Sequence, residues 1–178
     1  MTKSNLPLPL PLPESYWVQE GRFLAGEYPA SRLSFSSNTT LQDLLKAGID
    51  TFIDLTEPHE YSSYENSLIE EATRLGLTAS YHRFPIEDWG LPTKTRMTAI
   101  LDAIDLALEA GHKVYVHCWG GIGRTGTTVG CYLVRHGLTG EQALEQLAEW
   151  WQHVPKRRFH SRSPETGEQR DFIRDWCE

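Results

Sequence analysis

Cysteine is scarce in this chain, and long apolar runs are missing. Cys118, Cys131 and Cys177 are the only three cysteines among 178 residues, odd in number and far apart. They offer no disulfide framework and no C-x-x-C metal pair, which fits a reducing compartment and makes the cytoplasm the expected location. No apolar stretch approaches the roughly 20 residues a bilayer span needs, and no secretory signal pattern opens the chain, so no membrane role is expected. Basic residues are outnumbered: 17 Lys and Arg face 24 Asp and Glu, for a net charge of −7. That balance argues against a nucleic-acid partner while leaving room for a locally basic pocket. There is no internal repeat. No G-x-x-x-x-G-K-[ST] segment occurs either, which removes the nucleoside-triphosphate loop.

What is present suits one domain with a proper core: 39% of residues are hydrophobic and 23% charged. Residues 1–15 read as a proline-rich arm. Its "LPLPLPLP" alternation must be extended, because each proline fixes φ and disfavours helix before it. The folded part, 16–178, opens with two short strands around Gly21. Helical and strand-like segments then alternate. "TTLQDLLKAG" is a helix with a capping-box-like Thr40/Asp43 start, "IDTFIDLT" a strand, "SSYENSLIEEATRLG" a helix and "LTASYHRFPI" a strand. "TKTRMTAILDAIDLALEAG" places Met97, Ile100, Leu101, Ile104 and Leu108 at helical spacing. "KVYVH" is a short buried strand and Thr125 to His136 the next helix. "TGEQALEQLAEWWQHV" follows, capped by Thr139 and Gln142, and "EQRDFIRDWC" closes the chain as a helix. Such alternation predicts an α/β sandwich with a mainly parallel central sheet, whose ligands bind at the carboxyl ends of strands.

One such end carries "VYVHCWGGIGRTGTTVG", residues 114–130, which reads two ways. Gly121, Gly123 and Gly126 spell the G-x-G-x-x-G of dinucleotide-binding folds. That pattern belongs to a first strand and wants an acidic residue about 20 positions on, at the end of a second strand. Here the candidates Glu145 and Glu149 lie within a helical segment. The other reading explains more residues. Glycine-dense backbone between Cys118 and Arg124 turns successive N–H groups into one concavity, a nest for a tetrahedral oxyanion. The following helix adds its positive N-terminus. Thiols at helix N-termini beside cations ionise readily, so Cys118 is a candidate nucleophile. Arg124 is placed to grip two phosphate oxygens in a fork, and the Thr125 hydroxyl to ease departure of the sulfur.

"HCWGGIGRTG" resembles the H-C-x5-R-[ST] signature of the cysteine-based protein tyrosine phosphatase superfamily. With "GRFLAGEYP" and "FPIEDWGLP" it is most similar to the compact dual-specificity group, near kinase-associated phosphatase. The resemblance implies a three-layer sandwich of that family's type, a thiophosphate intermediate, and neither metal nor cofactor. It implies that Cys118 is the nucleophile, that Arg124 clamps phosphate, and that Trp119, Gly120, Gly121, Ile122 and Gly123 form the phosphate loop between them. Thr125 would stabilise the leaving thiolate and His117 would order the loop. A general acid must protonate the leaving oxygen. Asp88, with Pro92 four residues on, is similar to the family's acid loop; Glu87 and Asp54 are the other candidates. "SPETGEQRDFI" is similar to a water-positioning segment, matching at Thr166 and Gln169, while Glu165 stands where glutamine is usual.

The loop interior carries no lysine or further arginine, which favours a phosphoprotein or singly phosphorylated molecule over highly phosphorylated rings. "PKRRFHSR", residues 155–162, is the one dense basic cluster, either a solvated loop or a receiver of acidic substrates. The expected partner is thus a phosphorylated protein, dephosphorylated at tyrosine and also at serine or threonine, with the chain taken as a monomer. An inositol-phosphate phosphatase, a catalytically silent phosphate-binding module and a sulfur-transfer or arsenate-handling protein are the competing readings.

Overall fold

The computed structural model describes residues 8–30 and 39–178, so the first half of the proline-rich arm lies outside the described residues. In chain order the strands are β1 (Ser15–Gln19), β2 (Phe23–Gly26), β3 (Thr51–Asp54), β4 (Ser80–Arg83) and β5 (Val114–His117). The helices are α1 (Thr39–Lys46), α2 (Glu65–Arg74), α3 (Lys94–Glu109), α4 (Gly123–Arg135), α5 (Gly140–Trp151) and α6 (Gly167–Arg174), with a 3-10 turn at Pro155–Arg158. The strands form one sheet ordered β1-β2-β5-β3-β4. β1 runs antiparallel to β2; the other pairings are parallel. The mainly parallel sheet expected from the alternation is therefore present.

β5 sits in the middle of this sheet, and its four residues divide by the two-residue period of a strand. Val114 and Val116 face a core shared with Phe23, Ile53 and the apolar faces of α3 to α6. Tyr115 faces the opposite core, with Leu24, Phe52 and residues of α1 and α2. Both faces are covered, which is why "VYVH" is wholly buried. The register sets Gly26 of β2 and Asp54 of β3 on either side of His117, so three strand ends converge where β5 stops.

Local signals fix the helix ends. Thr139 accepts from the Gln142 amide and Gln142 returns the bond, the capping box that the sequence suggests. Thr166 and Gln169 form a second box at α6. α3 gives way at Gly111, whose φ of +88° is open to glycine at little cost. Two starts differ from expectation. α1 already includes Thr39, so Thr40 lies inside its first turn and is not its cap. α2 begins only at Glu65, because the serines before it sit in a loop that has other work at the active site. In the described half of the arm, Leu12 is buried in the α1–α2 core and the Leu8 amide donates to Glu20 at 2.6 Å, so this part lies on the domain.

Thr139→Ala removes the side-chain acceptor of the α5 cap, leaving the Gln142 amide without it. It is expected to lower unfolding free energy by about 1 kcal/mol in urea titration, leaving the remote site's turnover unchanged.

Candidate active site

Cys118 is the first residue after β5 and is only 3% exposed. It lies at the wall of a cavity of about 340 Å³ that Trp119, Ile122, Arg124, Asp88 and Trp89 also line. The loop from Cys118 to Gly123 is held against the end of β2. The Tyr28 amide donates to the Trp119 carbonyl at 3.0 Å. Gly121 has φ +73°, and a Cβ there would stand 2.6 Å from the Gly26 carbonyl carbon and 2.8 Å from the Glu27 nitrogen. Those are backbone atoms and cannot yield, so glycine is required on two counts.

Arg124, in the first turn of α4, is buried, yet both terminal nitrogens of its guanidinium are bonded. Its Nη1 donates to Glu60 Oε1 at 2.6 Å and to the Ile86 carbonyl at 3.0 Å. Its Nη2 donates to Glu60 Oε2 at 2.9 Å and pairs with Asp88 Oδ1 at 2.9 Å. Burial works against the guanidinium charge, but the Glu60 bonds and the Cys118 and Asp88 charges outweigh it and raise its pKa. Burial also opposes ionisation of Glu60; Arg124 and the Glu57 amide overcome that and hold the carboxyl below its ordinary value. The sequence gives no motif for Glu60. The only available signal is a carboxylate in the loop after β3, beside the strand that carries the cysteine.

His117 is buried on the face opposite the valines. Its Nδ1 lies 3.0 Å from the Cys118 carbonyl, which can only accept, so Nδ1 carries the proton. Burial lowers its pKa, keeping the ring neutral, so Nε2 accepts from the Tyr64 hydroxyl at 2.6 Å. The carbonyl thus fixes the tautomer, and the Tyr64 hydroxyl holds the other ring nitrogen. Tyr64 is the second site residue that sequence reasoning missed.

The acid candidates separate cleanly. Asp54 is buried and spent on the Thr56 amide and hydroxyl, Tyr81 and Arg83. Glu87 is exposed and does not line the cavity. Asp88 faces Arg124 from the far side of the cavity. Beside it, Trp89 has φ +62° and is 60% exposed. It occupies the third position of a turn closed by the Gly90 amide on the Glu87 carbonyl at 2.9 Å, a place where positive φ ordinarily selects glycine or asparagine. Trp89 therefore lines the cavity and does not anchor its loop by burial. The anchor is Gln169, whose amide donates to the Gly90 carbonyl at 3.3 Å while its oxygen caps α6.

The Thr125 hydroxyl donates to the Gly26 carbonyl at 3.5 Å, across the turn toward β2, and not to the Cys118 sulfur. Cys131 is buried inside α4, and burial, reinforced by the Glu178 charge, pushes its thiol up. Residues of the basic segment do reach the site. Lys156 donates to the Gly120 carbonyl at 2.9 Å and pairs with Glu27 at 2.5 Å. His160 pairs with Glu165 at 3.2 Å, and all four line the cavity. No group of residues that would hold a metal ion occurs among the described residues, and no described helix is long and apolar enough to cross a membrane.

A parallel sheet with a cysteine-to-arginine phosphate loop at its central strand end defines a phosphatase of the tyrosine and dual-specificity superfamily. The chain belongs to the family described as "PTP-SAK: Swiss Army Knife protein, DSP-PTPase phosphatase domain", whose model matches residues 13–173. Its relatives include the mouse protein tyrosine phosphatase domain-containing protein 1, 32% identical over 138 residues, which are 73% of this chain and 18% of that protein. Another is the Arabidopsis thaliana phosphatidylinositol 3,4,5-trisphosphate 3-phosphatase and protein-tyrosine-phosphatase PTEN1, 25% identical over 88% of this chain and 36% of that one. The chain thus spans only about a third or less of the length of these relatives. Among solved structures, Tk-PTP in its active form matches with a TM-score of 0.66 at 25% identity, covering 92% of this chain and 95% of that one. Kinase-associated phosphatase shares the fold with a TM-score of 0.66 at 20% identity, over 85% and 83% of the two chains.

Gly121→Ala is expected to abolish turnover of an aryl phosphate, because the loop must move off β2; circular dichroism should show the sheet retained. Glu60→Gln leaves a buried guanidinium short of its counter-charge and should cut kcat/KM about tenfold or more. The folded pKa of Glu60 is depressed, so its stabilisation is present above the unfolded value of about 4.3 and is lost as pH falls below it. Acid unfolding of the wild type should accordingly be steeper than that of Glu60→Gln.

Proposed function

We propose that this domain hydrolyses phosphomonoesters through a cysteinyl-phosphate intermediate, with phosphotyrosine in proteins as its favoured substrate. The carrying observation is that Cys118, Arg124 and Asp88 line one cavity, with Asp88 Oδ1 2.9 Å from Arg124 Nη2. Phosphate oxygens replace Asp88 on the guanidinium, which Glu60 keeps in place. The Cys118 thiolate attacks phosphorus in line, the P–S bond forms, and the P–O bond to the leaving group breaks as Asp88 supplies the proton. Water then attacks the cysteinyl phosphate with Asp88 as base, and the P–S electrons return to sulfur. To assist that return, the Thr125 hydroxyl must leave its contact with Gly26, which at 3.5 Å is weak. Gln169 holds the acid loop at Gly90 and faces the same cavity, where it is placed to orient the water.

Two features favour phosphotyrosine. The cavity is walled by Trp89 and Trp119, 60% and 40% exposed, which suit a flat aromatic leaving group. Its lining carries three carboxylates, Glu27, Asp88 and Glu165, against the cations Arg124 and Lys156 and the titratable His160. A singly phosphorylated group is tolerated by such a balance; a highly phosphorylated ring is not. The second reading, an inositol phosphate or its lipid, draws on Lys156 at the rim. It also draws on the name of the Arabidopsis relative and on the fold likeness to PTPMT1 in complex with PI(5)P, TM-score 0.68 at 18% identity.

Phosphate release without added metal separates these readings across phosphotyrosine, phosphoserine and phosphothreonine peptides, inositol hexakisphosphate and an aryl phosphate. Phosphotyrosine turnover should lead and vanish in Cys118→Ser. Asp88→Asn should slow poor leaving groups most, by about a hundredfold or more, and activated aryl phosphates least. Undiminished turnover in Cys118→Ser would refute the mechanism.

A further inference from the structure

The 3-10 turn Pro155–Arg158 and the residues after it separate two concavities. Lys156 and His160 face the catalytic cavity, and each has a carboxylate partner there. Arg157 and Arg158 face away, into a neighbouring groove of about 560 Å³ whose wall also includes His153 and Ser161. Phe159 stands on the ridge between them, 85% exposed and the most exposed large apolar side chain of the described residues. Several arginines of this acidic chain are matched to carboxylates: Arg74 to Glu71, Arg83 to Asp54, Arg135 to Asp102, Asp105 and Glu178, Arg174 to Glu141 and Asp171. Arg157 and Arg158 have no such partner among the described residues, and Arg162 reaches only the Glu165 carbonyl, at 3.4 Å. In a protein of net charge −7, an unneutralised cluster at the mouth of the active site has a direction. It attracts anions to one side of the phosphate loop.

From the open guanidinium groups of Arg157 and Arg158, the exposed ring of Phe159 and their position on the cavity rim, we infer that this ridge docks an acidic segment of the substrate beside its phosphorylated residue. The inference rests on the phosphoprotein reading above and adds a sequence preference to it. The cavity cannot supply that preference, because its own three carboxylates repel further acidic groups. Acidic side chains a few residues from the phosphoresidue meet the planar forks of Arg157 and Arg158 outside it, where bidentate pairing with carboxylates is available. Phe159 covers the stretch of peptide crossing the ridge. A bilayer is the poorer fit. A single apolar ring gives little insertion, and the cations line a groove, which matches a strand of peptide better than a flat headgroup layer.

The test compares two phosphotyrosine peptides that differ only in having glutamate or glutamine at the flanking positions. For the wild type, kcat/KM should favour the acidic peptide about fivefold, through KM, as two exposed charge pairs allow. The advantage should shrink when salt is raised to about 0.2 M. The Arg157→Glu/Arg158→Glu double variant should lose or reverse the preference while hydrolysing a small aryl phosphate as the wild type does. Equal use of both peptides by the wild type, or a preference that survives in the double variant, would overturn the docking site and leave the phosphatase reading intact. No peptide turnover at all, with inositol phosphate or aryl phosphate still hydrolysed, would overturn the phosphoprotein reading and the docking site with it. Binding to vesicles of phosphatidylserine and phosphatidylcholine that is lost in the double variant, with no peptide preference, would assign the ridge to a lipid surface instead.

Discussion

A guanidinium withdrawn from water must find its hydrogen bonds inside the protein, and at Arg124 that requirement organises the whole site. The side chain belongs to the helix after β5, but its partners come from elsewhere. Glu60 is supplied by the loop after β3, and the Ile86 carbonyl and Asp88 by the segment after β4. Three adjacent parallel strands thus contribute one loop each to a single cation. Satisfying Arg124 draws the loop of Asp88 to the loop of Cys118, so this side chain is the post to which the rest of the site is tied.

Cys118 is held by a second, quieter arrangement. Strand alternation sends Val114 and Val116 to one core and Tyr115 and His117 to the other, so the histidine before the cysteine points toward the loop carrying Tyr64. There it is neutral, donates to the Cys118 carbonyl and accepts from Tyr64, and its ring cannot turn without breaking one of those bonds. On the other flank, Gly121 allows the loop to touch the backbone of β2. The peptide units around Cys118 are therefore gripped from both sides before any ligand arrives, as an anion nest must be if its N–H groups are to point inward at no further cost.

These two layers explain what the sequence could and could not reveal. Features written in contiguous residues were legible: the strand–loop–helix around Cys118 and Arg124, the helical stops, the Thr139 cap and the loop that brings Asp88 to the cavity. Contacts made across the chain were not. Glu60 lies 64 positions from Arg124 and Tyr64 53 from His117, and neither carries a motif, since a carboxylate or a tyrosine in a loop has no distinguishing neighbours. The contact of the Thr125 hydroxyl was hidden for the same reason: its partner, Gly26, is 99 residues away in β2. Nor could the basic segment be divided from sequence alone. Only a 3-10 turn explains why Lys156 reaches the phosphate loop while Arg157, the next residue, faces another groove.

The contact between Asp88 and Arg124 links the parts of the proposed reaction. Glu60 spans both terminal nitrogens of the guanidinium and is largely buried, whereas Asp88 touches one of them from a half-exposed loop. Of the two carboxylates, Asp88 is therefore the one an arriving phosphate displaces, for its release costs less desolvation and leaves the fork still oriented. Once displaced, its carboxyl is free of the guanidinium and still lines the cavity that holds Cys118, where the proposed general acid must act. Gln169 limits how far the loop then travels, because it binds Gly90, two residues on, from the cap of α6. Phosphate binding and readiness of the acid are in this way one exchange of partners on a single arginine.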